Sequence, residues 1–146
     1  MTATTGEARF VFDEWHRLVT EHDGAALAAL YTDDAVLESP LVPRLLDNAE
    51  SGIVRGRAEL DAFLALATAR KPVDDEFPSL YRRDTFAFDG KSMIWEYPRE
   101  TPNGDQLDLV EVMELDGPRI RRHRIYWGWR GTEHIIANAL RKHSSL

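Results

Sequence analysis

From Arg9 to about Glu21 the apolar residues Val11, Phe12, Trp15, Leu18 and Val19 return every three or four positions, which predicts an amphipathic helix. Glu7, Asp13 and Glu14 near its start suit the positive end of the helix dipole. Residues 1–8 are expected to be flexible. Asp23-Gly24 interrupts the pattern, and Ala25 to Tyr31 reads as a second helix, too short to stand alone and so packed on the first, with Asp33-Asp34 ending it. Ala35 to Glu38 is a strand candidate that stops at Ser39-Pro40, because proline has no N–H for a ladder. Leu41 to Arg57 holds Pro43, Gly52 and Gly56 without a period and reads as an ordered loop. A third helix covers Arg57 to Arg70, with Leu60, Phe63, Leu64 and Ala67 on one stripe, and Lys71-Pro72 terminates it.

Beyond Pro72 the period falls from that of a helix to that of a strand. Four runs follow: Phe77 to Phe88, Ser92 to Glu100, Gln106 to Leu115 and Ile120 to Trp127. Asp89-Gly90, Asn103-Gly104 and Asp116-Gly117 separate them and are hairpin signals, so the runs predict an antiparallel meander. Thr132 to Lys142, with Ile135, Ile136, Ala139 and Leu140, reads as a C-terminal helix. Helices first and strands afterwards make an α+β fold, a single domain over residues 1–146. Its N-terminal helices pack in a curved, mainly antiparallel sheet to give a cone-shaped α+β barrel, and the hollow of such a cone suits a small ligand.

Composition narrows the partners. Hydrophobic residues form 43% of the chain and charged residues 29%, a globular balance. With 25 acidic against 18 basic residues the net charge is −7, which argues against nucleic acid. The arginines of RIRRHRIYWGWR mostly alternate with apolar residues, as on a solvated sheet face. The chain has no cysteine, which excludes disulfides, thiolate metal sites and cysteine nucleophiles, and suits a cytoplasmic protein. No apolar run approaches a membrane span, and nothing near the N-terminus reads as a signal peptide, so no membrane partner is expected. His16 and His22 lie too far round the first helix to share a metal, and no metal or cofactor is expected.

WHRLVTEHDGAALAALYTDDAVLESP from Trp15 to Pro40, Gly56-Arg57 at the third helix, LDLVEVMELDG from Leu107 and RIRRHRIYW from Arg119 resemble the nuclear-transport-factor-2-like superfamily, in its SnoaL-like and ketosteroid-isomerase-like branch. The resemblance spans nearly the whole chain. It implies the cone fold, but this fold hosts isomerases, cyclases, epoxide hydrolases, dehydratases and non-catalytic modules. Ketosteroid isomerases use a carboxylate base at the end of the first strand, with a tyrosine and a neutral carboxylic acid as an oxyanion hole. On this chain those places fall on Ser39, Trp15 and Glu111. A serine at the base position argues against steroid isomerisation, since a hydroxyl needs another base to take a proton from carbon. SnoaL-like cyclases rely on a last-strand aspartate and a histidine; HRIYWGW offers His123 and no acid.

Alternation singles out Glu111 without any family. Leu107, Leu109, Glu111, Met113 and Leu115 share one strand face, so the carboxyl sits in an apolar row, costly to desolvate unless paired or protonated. A facing set on the last strand, Arg121, His123, Ile125 and Trp127, would bring a histidine beside it, and His–carboxylate is a working acid–base couple. The alternatives are an ion-paired Glu111 at an interface or in solvent, and a surface His123. A two-residue turn at Asn103-Gly104 would set Glu96 opposite Glu111. Glu111 and His123 are therefore the candidate catalytic residues, and Trp15, Ser39, Phe63, Glu96, Leu109, Met113, Ile125 and Trp127 the candidate substrate-binding ones. The expected ligand is a small, largely apolar, cyclic molecule, handled by cofactor-free acid–base chemistry or merely bound. The expected assembly is a homodimer through the outer sheet face.

Overall fold

Thr4 sets where the chain turns helical. Its hydroxyl accepts the Glu7 N–H at 3.1 Å while the Glu7 carboxylate accepts the Thr4 N–H at 2.7 Å, a reciprocal cap that starts α1 at Thr5 and carries it to Thr20. The computed structural model describes residues 2–69, 85–96, 109–129, 131–133 and 136. In it α1 takes in residues 5–8, and Ala8 is buried. Asp23 caps α2 (Gly24–Ala29) by accepting the Ala26 N–H at 2.9 Å. Gly24 is where α2 meets α4 (Gly56–Ala69): a Cβ there would lie 2.7 Å from Thr68 Oγ1, so only glycine permits this approach. Leu60, Phe63 and Leu64 of α4 are buried as their stripe predicts.

The second helix ends before Tyr31, which instead opens strand β1 (Tyr31–Glu38); Asp33 and Asp34 lie exposed within that strand and do not end a helix. The reason is tertiary. The Tyr31 carbonyl is taken by the guanidinium groups of Arg57 and Arg119 at 3.0 and 2.7 Å, and Tyr31 pairs with Ile120 across the sheet. Nor is the stretch after Ser39-Pro40 a plain loop. It forms the short helix α3 (Val42–Leu45) and strand β2 (Ile53–Arg55), which returns antiparallel to β1, with the Ser39 N–H donating to the Gly52 carbonyl at 2.8 Å.

The later strands are β3 (Ala87–Phe88), β4 (Ser92–Glu96), β5 (Leu109–Asp116) and β6 (Arg119–Trp127). They form the expected antiparallel meander, and β1 joins β6 in parallel to give the order β2-β1-β6-β5-β4-β3. The result is a curved, unclosed sheet around the helices. Both described turns have the predicted chemistry: Gly90 and Gly117 adopt φ of 92° and 55°, and the Asp89 carboxylate accepts the N–H groups of Lys91 and Ser92. The expected strand Phe77 to Phe88 is strand only at Ala87 and Phe88 among the described residues; 77–84 lie outside them. So do 97–108, including Asn103-Gly104, and most of the C-terminal helix, of which 132, 133 and 136 are helical.

One irregularity matters for the site. Leu115 pairs with Ile120 and Glu114 with Arg122, so Arg121 is an extra residue in β6. This bulge turns Arg121 out to solvent, 3.7 Å from Glu114, and lets Ile120 and His123 both face inward. Strict alternation had placed Arg121 beside His123.

Candidate functional site

The inner face of the sheet is built from cross-strand rows. Met93, Met113, His123 and Leu37 form one, all essentially inaccessible to solvent; Trp95, Glu111 and Ile125 form the next, and Leu109 faces Trp127 beyond it. Glu111 is thus diagonal to His123, within reach of a long side chain. The two are 2% and 1% exposed, and His123 Nε2 is hydrogen-bonded to Glu111 Oε2. The alternation of β5 places Glu111 in an apolar row, and in the structure that row faces inward with His123 beside it.

His123 Nδ1 is held in turn by the Tyr31 hydroxyl at 2.8 Å. Complete burial is the main cause pushing the phenol's pKa far above its ordinary value; the charge of Glu111 adds to the rise, and the Trp15 indole N–H acting on the phenol oxygen opposes it. The phenol therefore keeps its proton, and beside a Glu111 carboxylate, which can only accept from Nε2–H, the neutral ring takes the phenol's hydrogen bond at Nδ1. That leaves the imidazole proton on Nε2, where it is donated to the Glu111 carboxylate. Tyr31, His123 and Glu111 form one relay that links β1, β6 and β5.

Helix α1 closes the site from inside. Trp15, 5% exposed, lies 6.2 Å from the His123 ring and 5.3 Å from the Trp95 ring, and Phe12 meets Trp95 edge-on at 5.2 Å. His16, on the same helix, donates from Nδ1 to the Phe12 carbonyl at 2.7 Å, and His22 from Nδ1 to the Thr68 carbonyl at 2.9 Å. A carbonyl only accepts, so the proton sits on Nδ1 in both rings.

The structure brings together Glu111, His123, Trp15, Met113 and Ile125, and continues the face with half-buried Leu109 and Trp127. Phe63 is buried in the apolar core on α4. Ser39 is buried at the end of β1, but its hydroxyl accepts the Leu41 N–H at 3.1 Å and so serves the turn into α3. Glu96 does not face Glu111. The register sets Trp95 there and Glu96 against Val110, on the opposite parity, one residue away from the pairing that a two-residue turn at Asn103-Gly104 required. Tyr31 was missed in the sequence because it ends an alanine- and leucine-rich helical run. The only signal for it is an aromatic residue followed by a β-branched one ahead of the Asp33-Asp34 pair.

A family model described as a SnoaL-like domain matches residues 12–123. A comparison with curated proteins yields no match. Among solved structures, a SnoaL-like protein of unknown function from Burkholderia thailandensis superposes with a TM-score of 0.64 at 19% identity, over 88% of this chain and 100% of its own. An NTF-2 like protein of unknown function from Burkholderia xenovorans gives 0.59 at 21% identity, covering 84% of each chain. The epoxide hydrolase/cyclase-like enzyme SalBIII, with a role in pyran ring formation in polyether salinomycin, gives 0.55 at 21% identity, over 84% of this chain and 92% of its own. The helices-then-meander order, the inward-facing rows and a match over most of the chain converge on one assignment: the protein belongs to the SnoaL-like domain family and has the fold of the NTF2-like structures it superposes on.

Proposed function

We propose that the chain binds a small, largely apolar ring compound against the inner sheet face and acts on it by cofactor-free acid–base chemistry. The observation that carries this reading is the buried Glu111–His123 couple, oriented by Tyr31 and walled by Trp15, Trp95 and Met113. A proton leaving a ligand carbon is received by Glu111 on Oε1, the oxygen that His123 does not hold, while the Nε2–H bond steadies the charge at Oε2. Returned at a second ligand atom, that proton completes an isomerisation, a ring closure or a loss of water. The likeness in fold to the cyclase-like SalBIII is in keeping with ring closure.

Ser39 favours a second reading, a binding module without turnover: the carboxylate base of the isomerases is replaced, and the serine hydroxyl is spent on the Leu41 N–H. Glu111→Gln separates the two, since it keeps the shape of the side chain. With a panel of hydrophobic ring compounds, turnover should fall on the order of 100-fold while binding persists. Unchanged turnover overturns the catalytic role of Glu111, and wild-type binding with no turnover of any compound selects the module.

The proposal extends to a homodimer through the outer sheet face, with neither nucleic acid nor membrane as partner. Among the described residues no helix is long and apolar enough to cross a membrane. The proposed cytoplasmic location rests instead on the cysteine-free sequence.

A further inference from the structure

Arg57, which follows the turn glycine Gly56, lies outside the Glu111–His123 couple, yet it is joined to that couple through Tyr31. At one end Tyr31 donates its hydroxyl to His123 Nδ1 at 2.8 Å, inside a sealed core. At the other, its backbone carbonyl accepts from Arg57 Nη2 at 3.0 Å and from Arg119 Nη2 at 2.7 Å. A carbonyl has two lone pairs, and guanidinium groups take both. The two arginines stand on α4 and β6 and are partly exposed. One residue therefore runs from the molecular surface to the buried relay.

The sheet alone holds this residue weakly. Among the described residues β2 pairs with β1 only from Val36 to Glu38, and β6 pairs with Tyr31 and then not again until Val36, because the register slips between them. The backbone bond at this end runs from the Ile120 N–H to the Leu30 carbonyl at 2.7 Å, one residue before Tyr31. The guanidinium groups serve the Tyr31 carbonyl where a neighbouring strand would otherwise do so. Two cations on one carbonyl repel each other, and the Asp33 carboxylate, 3.2 Å from Arg57 and 3.4 Å from Arg119, offsets that repulsion. Arg57 also donates to the Ala28 carbonyl at 2.6 Å, so its planar fork fixes the start of β1 against the end of α2. The Tyr31 ring is fully buried and its torsions are set by packing, so the hydroxyl lies where the carbonyl anchor puts it. A hydrogen bond of 2.8 Å weakens once drawn out past about 3.2 Å, and a small slip of the anchor is enough to do that.

We propose that Arg57 and Arg119 are positioning residues for the Glu111–His123 couple: by fixing the Tyr31 carbonyl they place the phenol on His123 Nδ1. This rests on the acid–base reading above and adds to it the two surface-facing residues that set the geometry of the buried relay.

Arg57→Lys and Arg119→Lys, each in the full chain with labelled histidine nitrogens, test it. Both keep the positive charge and lose the fork. Two reference variants frame the result. Tyr31→Phe marks where the His123 Nδ1 signal falls without the phenol, and Thr4→Ala, which removes the cap of α1, marks what loss of stability alone does. Each lysine variant should move the His123 Nδ1 signal toward its position in Tyr31→Phe, while Thr4→Ala leaves it at the wild-type position. The His16 Nδ1 signal, whose proton goes to the Phe12 carbonyl, should stay still throughout. A lysine variant with the wild-type His123 signal overturns the positioning role of that arginine, and the acid–base reading, which Glu111→Gln tests separately, stands. An equal shift in Thr4→Ala overturns the role of both, since any loosening would then suffice. If Arg57→Lys unfolds the chain, Arg119→Lys decides whether the carbonyl anchor places the phenol. If Tyr31→Phe leaves the signal unmoved, the phenol does not hold His123, and this inference falls with the relay.

Discussion

Tyr31 and Glu111 together fix which nitrogen of His123 carries the proton, and so which way the couple faces. Tyr31→Phe leaves Nδ1 buried without its 2.8 Å donor, a loss of about 1–3 kcal/mol. The tautomer should then become mixed, visible in the imidazole nitrogen shifts; a single unchanged tautomer would show that Tyr31 does not orient the ring. The same phenol gives an alkaline signature. Its pKa rises from the usual 10.0, chiefly through burial, so below that pH it is neutral folded or unfolded. Above it the unfolded chain sheds a proton that the folded chain retains. The unfolded state then binds fewer protons, and stability falls as pH rises. Denaturation midpoints between about pH 8 and 11 should decline more steeply for wild type than for Tyr31→Phe, and parallel slopes would refute the assignment. At this scale Glu111 and His123 were legible because alternation in an apolar strand is a strong signal. Tyr31 was not, since its role depends on a partner far away in sequence.

Elements are held in place here by backbone carbonyls caught in guanidinium forks. Arg57, in the first turn of α4, donates to the Ala28 carbonyl at 2.6 Å and to the Tyr31 carbonyl at 3.0 Å, joining the end of α2, the start of β1 and α4. Arg119 meets the same Tyr31 carbonyl from β6. Asp33 lies against both guanidinium groups, which hold its carboxyl below the usual range. Arg57→Lys keeps the charge and loses the planar fork. The melting temperature should drop by several degrees, the equivalent of about 1–2 kcal/mol; a lysine variant as stable as wild type would show that the fork contributes nothing. These clamps also explain which boundaries were unreadable. The helical stripes of α1 and α4 and the turns at Asp89-Gly90 and Asp116-Gly117 follow from local chemistry, and the sequence shows them. The switch from α2 to β1 before Tyr31, the pairing of β2 with β1 and the bulge at Arg121 depend on long-range partners, and no local pattern carries them.

Across the whole molecule the sheet divides two tasks between its faces. The inner one holds the relay and the aromatic wall. On the outer one, Ile94 and Tyr126 are 40% and 55% exposed beside half-buried Val112 and Val110, an apolar strip spanning β4 to β6. Glu114 flanks it, paired with Arg124 at 3.3 Å and Arg121 at 3.7 Å. In the proposed dimer a two-fold axis brings the same residues of two copies face to face across this strip. A charge at its centre would then have to be buried on association, at a cost the strip cannot offset. On the proposed dimer, Tyr126→Glu should therefore sediment at micromolar concentration as a 16.7 kDa monomer and wild type at twice that mass. Its secondary structure should be unchanged, because Tyr126 contributes to the fold through its strand hydrogen bonds and not through its exposed ring. Ligand binding should persist as well, since Glu111 and His123 point through the opposite face. A wild-type chain that sediments only as monomer, or a variant that still dimerises, would remove the outer strip as the subunit contact and leave the inner site untouched.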